Sequence, residues 1–280
     1  MAVDRGRYGL MCHHGGGIAC DGVVFRLAED RFWYVHADRD VFTWLQALKP
    51  GYDVVIRNPG AWAIQIQGPS SLEILDACVD GGTPKGFKYY HSRQVTMGGQ
   101  PVLISRTGWT AELGFEVYNL DPNVDGMALW CHLMDAGKPH GMEILSTYAM
   151  NPRRIEAGIM NYGTDMGWDT TPFDLGLGEF VDFDHEFLGR DALQSAERKQ
   201  RFTGFRTEAR DIKWGSPVFA NSKAVGSVKA FEHSPTLGTG IGYVLFDTHD
   251  TMAISDFCIK DRAGKEYPID LHTLPFFDPE

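Results

Sequence analysis

Ser105–Tyr118 reads SRTGWTAELGFEVY. A plain β-hairpin accounts for its turn glycines and its closing apolar alternation. It does not account for a Trp and a Glu placed to face a common cavity. Along Gly114-Phe115-Glu116-Val117-Tyr118, Phe115 and Val117 share one face. Glu112, Gly114, Glu116 and Tyr118 share the other, because strand side chains alternate. A carboxylate flanked by glycine and aromatics suits a flat heterocycle with an N–H edge, since one carboxylate accepts two parallel hydrogen bonds. Trp109 as core or hairpin cap, and Glu116 on a solvated face, satisfy the same pattern.

Around this stretch the chain alternates strands and helices. Val95–Met97 and Val102–Ile104 flank Gly98-Gly99, a hairpin signal. Trp62, Ile64 and Ile66 alternate with Ala61, Ala63 and Gln65, and Val23–Leu27 and Phe32–Val35 flank a polar turn. Helices are expected over Asp40–Leu48, with Val41, Phe42, Leu45 and Leu48 inward, and over Ser71–Val79, with Leu72, Leu75 and Val79 inward. Asp121-Pro122 and Asn151-Pro152 each read as an N-cap before a first-turn proline. The first opens a helix carrying Val124, Met127, Cys131 and Met134 that stops at Gly137; the second opens one with Ile155 and Ile159 a turn apart. The charged run Glu197–Arg201 is expected to end a helix. Beyond it, short alternating stretches separated by Gly and Pro predict a small antiparallel barrel or sandwich. The boundary falls near residue 196.

The chain has 280 residues with 43% apolar and 22% charged content, that of a globular protein able to bury a core without staples. A net charge of −11 argues against a nucleic-acid surface. It permits an anionic small ligand held by local arginines. Five scattered cysteines without a CxxC pair read as free thiols in a reducing cytoplasm. No signal-peptide run and no stretch long enough to span a membrane is present.

Two further stretches carry candidate chemistry. In HHGGGIACDGVVF, His13–Phe25, three glycines permit a sharp turn or a close backbone approach. Asp21 is there either a turn residue or a carboxylate projected into a pocket. The His13-His14 and Cys12/Cys20 spacing fits no common zinc pattern, so no metal is expected. In NPRRIEAGIMNYGTDM, Asn151–Met166, Arg153 and Arg154 either pair with Glu156 at the surface or reach a ligand carboxylate or carbonyl. No Walker loop, GxSxG elbow, HExxH or GxGxxG occurs.

Taken in order, GRYGLM, GGIACDGVVFRL, WAIQIQGPSS, SRTGWTAELGFEVY, RRIEAGIMNYGTDM, FLGRDAL and HSPTLGTGIGYV resemble the tetrahydrofolate-dependent one-carbon transferases typified by the glycine-cleavage T-protein. The resemblance implies an α+β fold: a folate-binding T-protein-like domain over residues 1–196, then a C-terminal antiparallel β-barrel domain over 197–280. It implies tetrahydrofolate, with Asp21 as the catalytic aspartate, Cys20 standing where the family often has a first acid. It places Glu116 at the pterin edge, Trp109 where a Tyr is common, and Arg154, Tyr8 and Tyr162 near the folate. Family members normally begin well upstream of the GRYGLM match, so this sequence is expected to lack their N-terminal segment, either as a fragment or as a naturally short form. A short form that exposes apolar surface would pair as a homodimer; one that has lost turnover would be a folate-binding protein without catalysis.

Three departures bear on the reaction: Thr147–Arg153 before the arginine motif, Trp109 in the hairpin, and GTDMGWDTTPFDLGLG at Gly163–Gly178. These look more like the family's methyl-transferring demethylases, with a small S-, O- or N-methyl donor. The alternative is aminomethyl transfer from a lipoyl carrier protein, making 5,10-methylene-tetrahydrofolate. No dinucleotide fingerprint supports flavin chemistry.

Overall fold

A computed structural model describes residues 1–36 and 40–277. The chain forms two compact units, one of Met1–Tyr8 with Gly22–Leu145, the other of Gly9–Asp21 with Ser146 onward. The chain passes between them within its first two strands and again after Leu145.

The elements up to Leu145 run β1 (Arg5–Cys12), β2 (Ile18–Arg26), β3 (Phe32–Val35), α1 (Val41–Leu48), β4 (Ala63–Gln67), α2 (Ser71–Cys78), β5 (Ser92–Met97), β6 (Gln100–Ser105), β7 (Gly114–Asn119) and α3 (Gly126–Gly137). The centre of the first unit is an antiparallel sheet in the order β4-β7-β6-β5. Gly98 and Gly99, with φ of 53° and 76°, close the predicted β5–β6 hairpin in the two-residue turn that demands positive φ at both positions. Alternation then sorts the sheet's faces. Val102, Ile104, Phe115 and Val117 bury against Ile74, Leu75 and Cys78 of α2 and Leu129 and Leu133 of α3. Leu103 and Tyr118 point the other way and pack on Phe25 and Leu27. Each fully buried aliphatic or aromatic side chain contributes about 1.5–3 kcal/mol. Glu116 lies on that second face.

The helix predictions need correction in detail. Asp121 does not cap a helix; it folds an Asx turn onto the Asn123 N–H at 2.7 Å, and Asp125 caps α3 four residues later by accepting from Met127 N and Ala128 N. On α3, Leu129 and Leu133 face inward, while Met127 and Cys131 are exposed. Leu72 and Phe42 are likewise exposed. α1 does start where Asp40 predicts, its carboxylate accepting from Thr43 N.

The second unit adds α4 (Thr147–Glu156), α5 (Arg190–Ser195), β8 (Phe202–Thr207), β9 (Pro217–Ala220), β10 (Lys223–Ser234), β11 (Thr239–Phe246), β12 (Phe257–Lys260), β13 (Glu266–Pro268) and β14 (Asp270–His272). The run at residues 197–201 follows α5 instead of ending it. Pro152 lies inside α4, not at its first turn; the helix begins at Thr147, and Ile159 falls beyond its end. Strands β8 to β14 make one antiparallel sheet, ordered β13-β12-β9-β10-β11-β8-β14. Its two edge strands, β13 and β14, are consecutive in the chain and separated only by Ile269. A sheet whose edges are one residue apart must curl nearly into a barrel, which removes exposed edges. Phe205, Val228, Val244, Phe246 and Ile259 fill one face. Ile241, Tyr243 and Leu245 turn to the other and bury against Ile155 of α4 and Ile18.

Asp174 shows how this unit uses ionised groups. It accepts from Arg201 Nε at 2.7 Å, Thr171 N at 2.8 Å and Thr171 Oγ1 at 2.9 Å. Burial alone would raise its carboxyl; Arg201 and the Thr171 donors outweigh it and hold the carboxyl below the ordinary carboxylate range. A lowered native pKa means stability that is complete above the unfolded-state pKa and lost as pH falls through the native one. The melting-temperature advantage of wild type over Asp174→Asn should therefore be full at neutral pH and vanish in strong acid. An advantage independent of pH would show that the contribution is not ionic.

Candidate functional site

The opening stretch spans the end of β6, the loop at residues 106–113 and β7. Glu116 pairs across the sheet with Gln65 of β4 on one side and Ser105 of β6 on the other. Period-two alternation puts these three side chains in one row on the face opposite the helices. The Glu116 carboxylate is half-buried and well held. Its Oε1 accepts from Gln65 Nε2 at 2.9 Å. Its Oε2 accepts from the Tyr118 hydroxyl at 2.7 Å and from the Thr107 hydroxyl. The Ser105 hydroxyl meets Thr107 Oγ1 at 2.5 Å, extending the chain of donors. Burial, with Glu116 beside it, pushes the Tyr118 phenol far above its ordinary value, so it remains a donor.

A carboxylate offers about four acceptor sites. Three are named above, which leaves Oε1 able to take one more donor. Gln65 supplies another acceptor. Its amide nitrogen must face the carboxylate, so its Oε1 faces away, and that oxygen is buried without a hydrogen-bond partner. Glu116 Oε1 and, once turned toward it, Gln65 Oε1 fit a ring edge that carries N–H donors. The pterin edge of tetrahydrofolate is such an edge, and the residues present fit it.

The stretch's glycines have a different use from the one its sequence suggests. A Cβ on Gly108 would lie 2.3 Å, and one on Gly114 2.0 Å, from Gln67 Oε1. The two glycines seat the Gln67 carboxamide, which donates to the carbonyls of Thr107 and Phe115 and accepts from Thr110. This brace fixes the start of the loop on the start of β7. Trp109 sits in that loop, half-buried. Tyr8, on β1, is half-buried and belongs to the same unit.

The other predicted residues belong to the second unit. Asp21 is half-buried on β2, directly after Cys20, whose buried thiol donates to the Asp21 carbonyl at 3.3 Å. The glycine-rich turn ahead of it is a packing device. His13 Nδ1 accepts from Gly15 N, and Nε2 lies 2.8 Å from the Trp168 carbonyl, with the His13 ring stacked on Trp168 at 4.3 Å. A Cβ on Gly17 would sit 2.0 Å from that same carbonyl oxygen. Both nitrogens of His13 are thus engaged by backbone, and among the described residues no group of three or more His, Cys, Asp or Glu could hold a metal.

Arg154 is buried at 4% exposure. Its guanidinium pairs with Asp165, takes Asn151 Oδ1 at 2.8 Å and the Ile159 carbonyl at 3.2 Å, and lies over the Tyr243 ring. The pairing with Glu156 is made by Arg153, at 2.5 Å, but Glu156 is buried, so the pair is not the surface one expected. Glu156 also accepts from Ser234 Oγ at 2.5 Å, tying α4 to β10. Tyr162 is in the core of this unit with Met166 and Leu175. Sequence reasoning missed Gln65, Thr107 and Asp165. The alternation of WAIQIQ against GFEVY could have found the first.

No helix among the described residues is long and apolar enough to cross a membrane. The GCVT N-terminal domain matches residues 1–185, and the glycine cleavage T-protein C-terminal barrel domain matches residues 200–278. An aminomethyltransferase of Streptomyces avermitilis is 35% identical, over 99% of this chain and 77% of its own length. One of Caldanaerobacter subterraneus subsp. tengcongensis is 34% identical, over 86% and 67%. The crystal structure of glycine cleavage system aminomethyltransferase T from Bartonella henselae superposes with a TM-score of 0.87 at 24% identity, covering 99% of this chain and 77% of that one. The two family models and the relatives at 34–35% identity agree: the chain belongs to the glycine cleavage T-protein family.

Proposed function

We propose that this protein is a tetrahydrofolate-dependent aminomethyltransferase. The observation that carries the reading is the match of nearly the whole chain, at 35% identity, to a protein named for that activity. The departures at Thr147–Arg153, Trp109 and Gly163–Gly178 point to a demethylase; the named relatives favour the aminomethyl alternative over it. The donor in this reading is an aminomethyl group carried on the lipoyl arm of a partner protein.

When bound, tetrahydrofolate supplies the N5 amine that receives the one-carbon unit. Glu116, held by Gln65, Thr107 and Tyr118, would accept from the pterin's N–H edge, and Trp109 would supply an aromatic face beside it. Asp21 is assigned the chemistry: it would orient the reacting amine, stabilise developing positive charge, or take a proton through one water. Meanwhile the carbon's bonds to the lipoyl sulfur and to its amino nitrogen break, and the protons lost by the folate leave with the thiol and ammonia. Positioning supplies most of the acceleration.

The test offers tetrahydrofolate with an aminomethylated lipoyl protein, a sulfonium donor or a methoxy-aromatic donor, and reads the folate product by mass. 5,10-Methylene-tetrahydrofolate from the first donor alone supports the proposal. 5-Methyl-tetrahydrofolate from either of the others restores the demethylase reading, and binding without any product leaves a folate scaffold. Glu116→Ala should weaken folate binding by about 1–3 kcal/mol, the cost of stranding buried donors. Unchanged affinity by calorimetry would remove Glu116 from the site.

A further inference from the structure

Gln65 has no role in the proposal above beyond holding Glu116, yet its carboxamide is only half used. The amide nitrogen donates to Glu116 Oε1 at 2.9 Å, which fixes the orientation of the group, because a carbonyl facing the carboxylate would repel it. The opposite end, Oε1, is shielded from water and has no partner. A buried acceptor left unmatched costs about 1–3 kcal/mol. A strand residue that needed only to buttress Glu116 could do so with a hydroxyl, as Thr107 and Tyr118 do. The second acceptor is what a glutamine adds.

We infer that Gln65 reads the ligand together with Glu116: its Oε1 accepts an N–H from the 2-amino group of the pterin while its amide nitrogen stays on the carboxylate. The inference rests on the folate reading of this site. The register supports it, since Gln65 and Glu116 are directly opposed on neighbouring strands with side chains on one face. Two acceptors then stand against an edge that bears adjacent donors. Presenting Oε1 to the ligand takes a coupled adjustment of the Gln65 side-chain torsions, the terminal one being broad, that keeps the amide nitrogen on Glu116. Gln65 is thus a specificity residue. It favours a 2-aminopteridine over a pteridine whose 2-position carries no donor.

The experiment measures calorimetric affinity of the full chain for tetrahydrofolate and for its 2-desamino-2-methyl analogue, with wild type and with Gln65→Met. Wild type should prefer the amino compound, and Gln65→Met should lose about 3- to 10-fold of that preference, the worth of one neutral hydrogen bond. If Gln65→Met weakens both ligands equally, Gln65 only buttresses Glu116 and the inference fails. It fails also if neither affinity moves. Gln65→Asn, which keeps the amide but shortens its reach, should show the same loss of preference and covers the case in which Gln65→Met does not fold. No binding of either ligand by wild type would overturn the folate reading itself, a result distinct from bound folate with unchanged preference.

Discussion

Asp21→Asn is expected to lower aminomethyl transfer by about 10²- to 10⁴-fold, the range for removing a positioned acid or base. The substitution is nearly isosteric and removes only the charge and the basicity. Asp21 is half-buried on a strand, next to a buried cysteine, so a neutral amide should be tolerated there without loss of fold. Pterin anchoring is assigned to Glu116, so tetrahydrofolate affinity should remain within a few fold. The loss should therefore appear in single-turnover transfer and not in binding, the pattern of a group that acts in the transition state. Transfer that survives Asp21→Asn, measured in a single turnover, would move the chemistry to another residue. A parallel loss of folate affinity would instead make Asp21 a binding group.

Much of this arrangement is legible in the sequence where local rules act alone. Gly98-Gly99 specifies its hairpin because few other pairs tolerate positive φ twice. The alternation in GFEVY places Glu116 and Tyr118 on one face because the period of a strand is fixed. The curled sheet after residue 196 follows from short alternating runs with no helix among them long enough to cover a flat one. The failures come where two local signals compete. Asp121-Pro122 has the composition of a helix start, but the Asx turn onto Asn123 satisfies Asp121 first and leaves capping to Asp125. At Asn151-Pro152 the same signature lies inside α4; Tyr148, the residue whose carbonyl a proline at 152 cannot serve, is 88% exposed in the first turn, where water can serve it. Other failures are long-range. Nothing local says that Gln65 will meet Glu116, 51 residues on, or that Gly108 and Gly114 are small in order to admit Gln67. Arg154 is a further long-range case: its motif suggests a ligand arginine, and the structure adds a buried pairing with Asp165 that sequence alone does not single out.

That burial sets the second large prediction. Asp165→Ala should destabilise the protein by about 3–5 kcal/mol, because it removes one side of a buried ion pair with the Arg154 guanidinium. Asp165 is itself 1% exposed, and it also accepts from Asn161 N at 2.8 Å and from Thr164 Oγ1 at 3.1 Å. Burial pushes its carboxyl up, against the opposing pull of Arg154 and these donors. The truncation therefore strands several polar groups at once. Replacing both partners, as in Arg154→Met with Asp165→Leu, should recover much of the loss, because the cost lies in breaking one side of a buried ion pair and not in a missing attraction. Denaturant midpoints at unchanged slope measure both. A double variant as unstable as Asp165→Ala would show that the guanidinium's other contacts, to Asn151 and the Ile159 carbonyl at the end of α4, carry the energy. The same cycle decides how Arg154→Ala is to be read in any folate assay. If the double variant folds and still binds tetrahydrofolate as wild type does, Arg154 shapes the turn after α4 and does not hold the ligand. If it folds and loses binding, the family's ligand arginine is retained here in addition to its structural pairing.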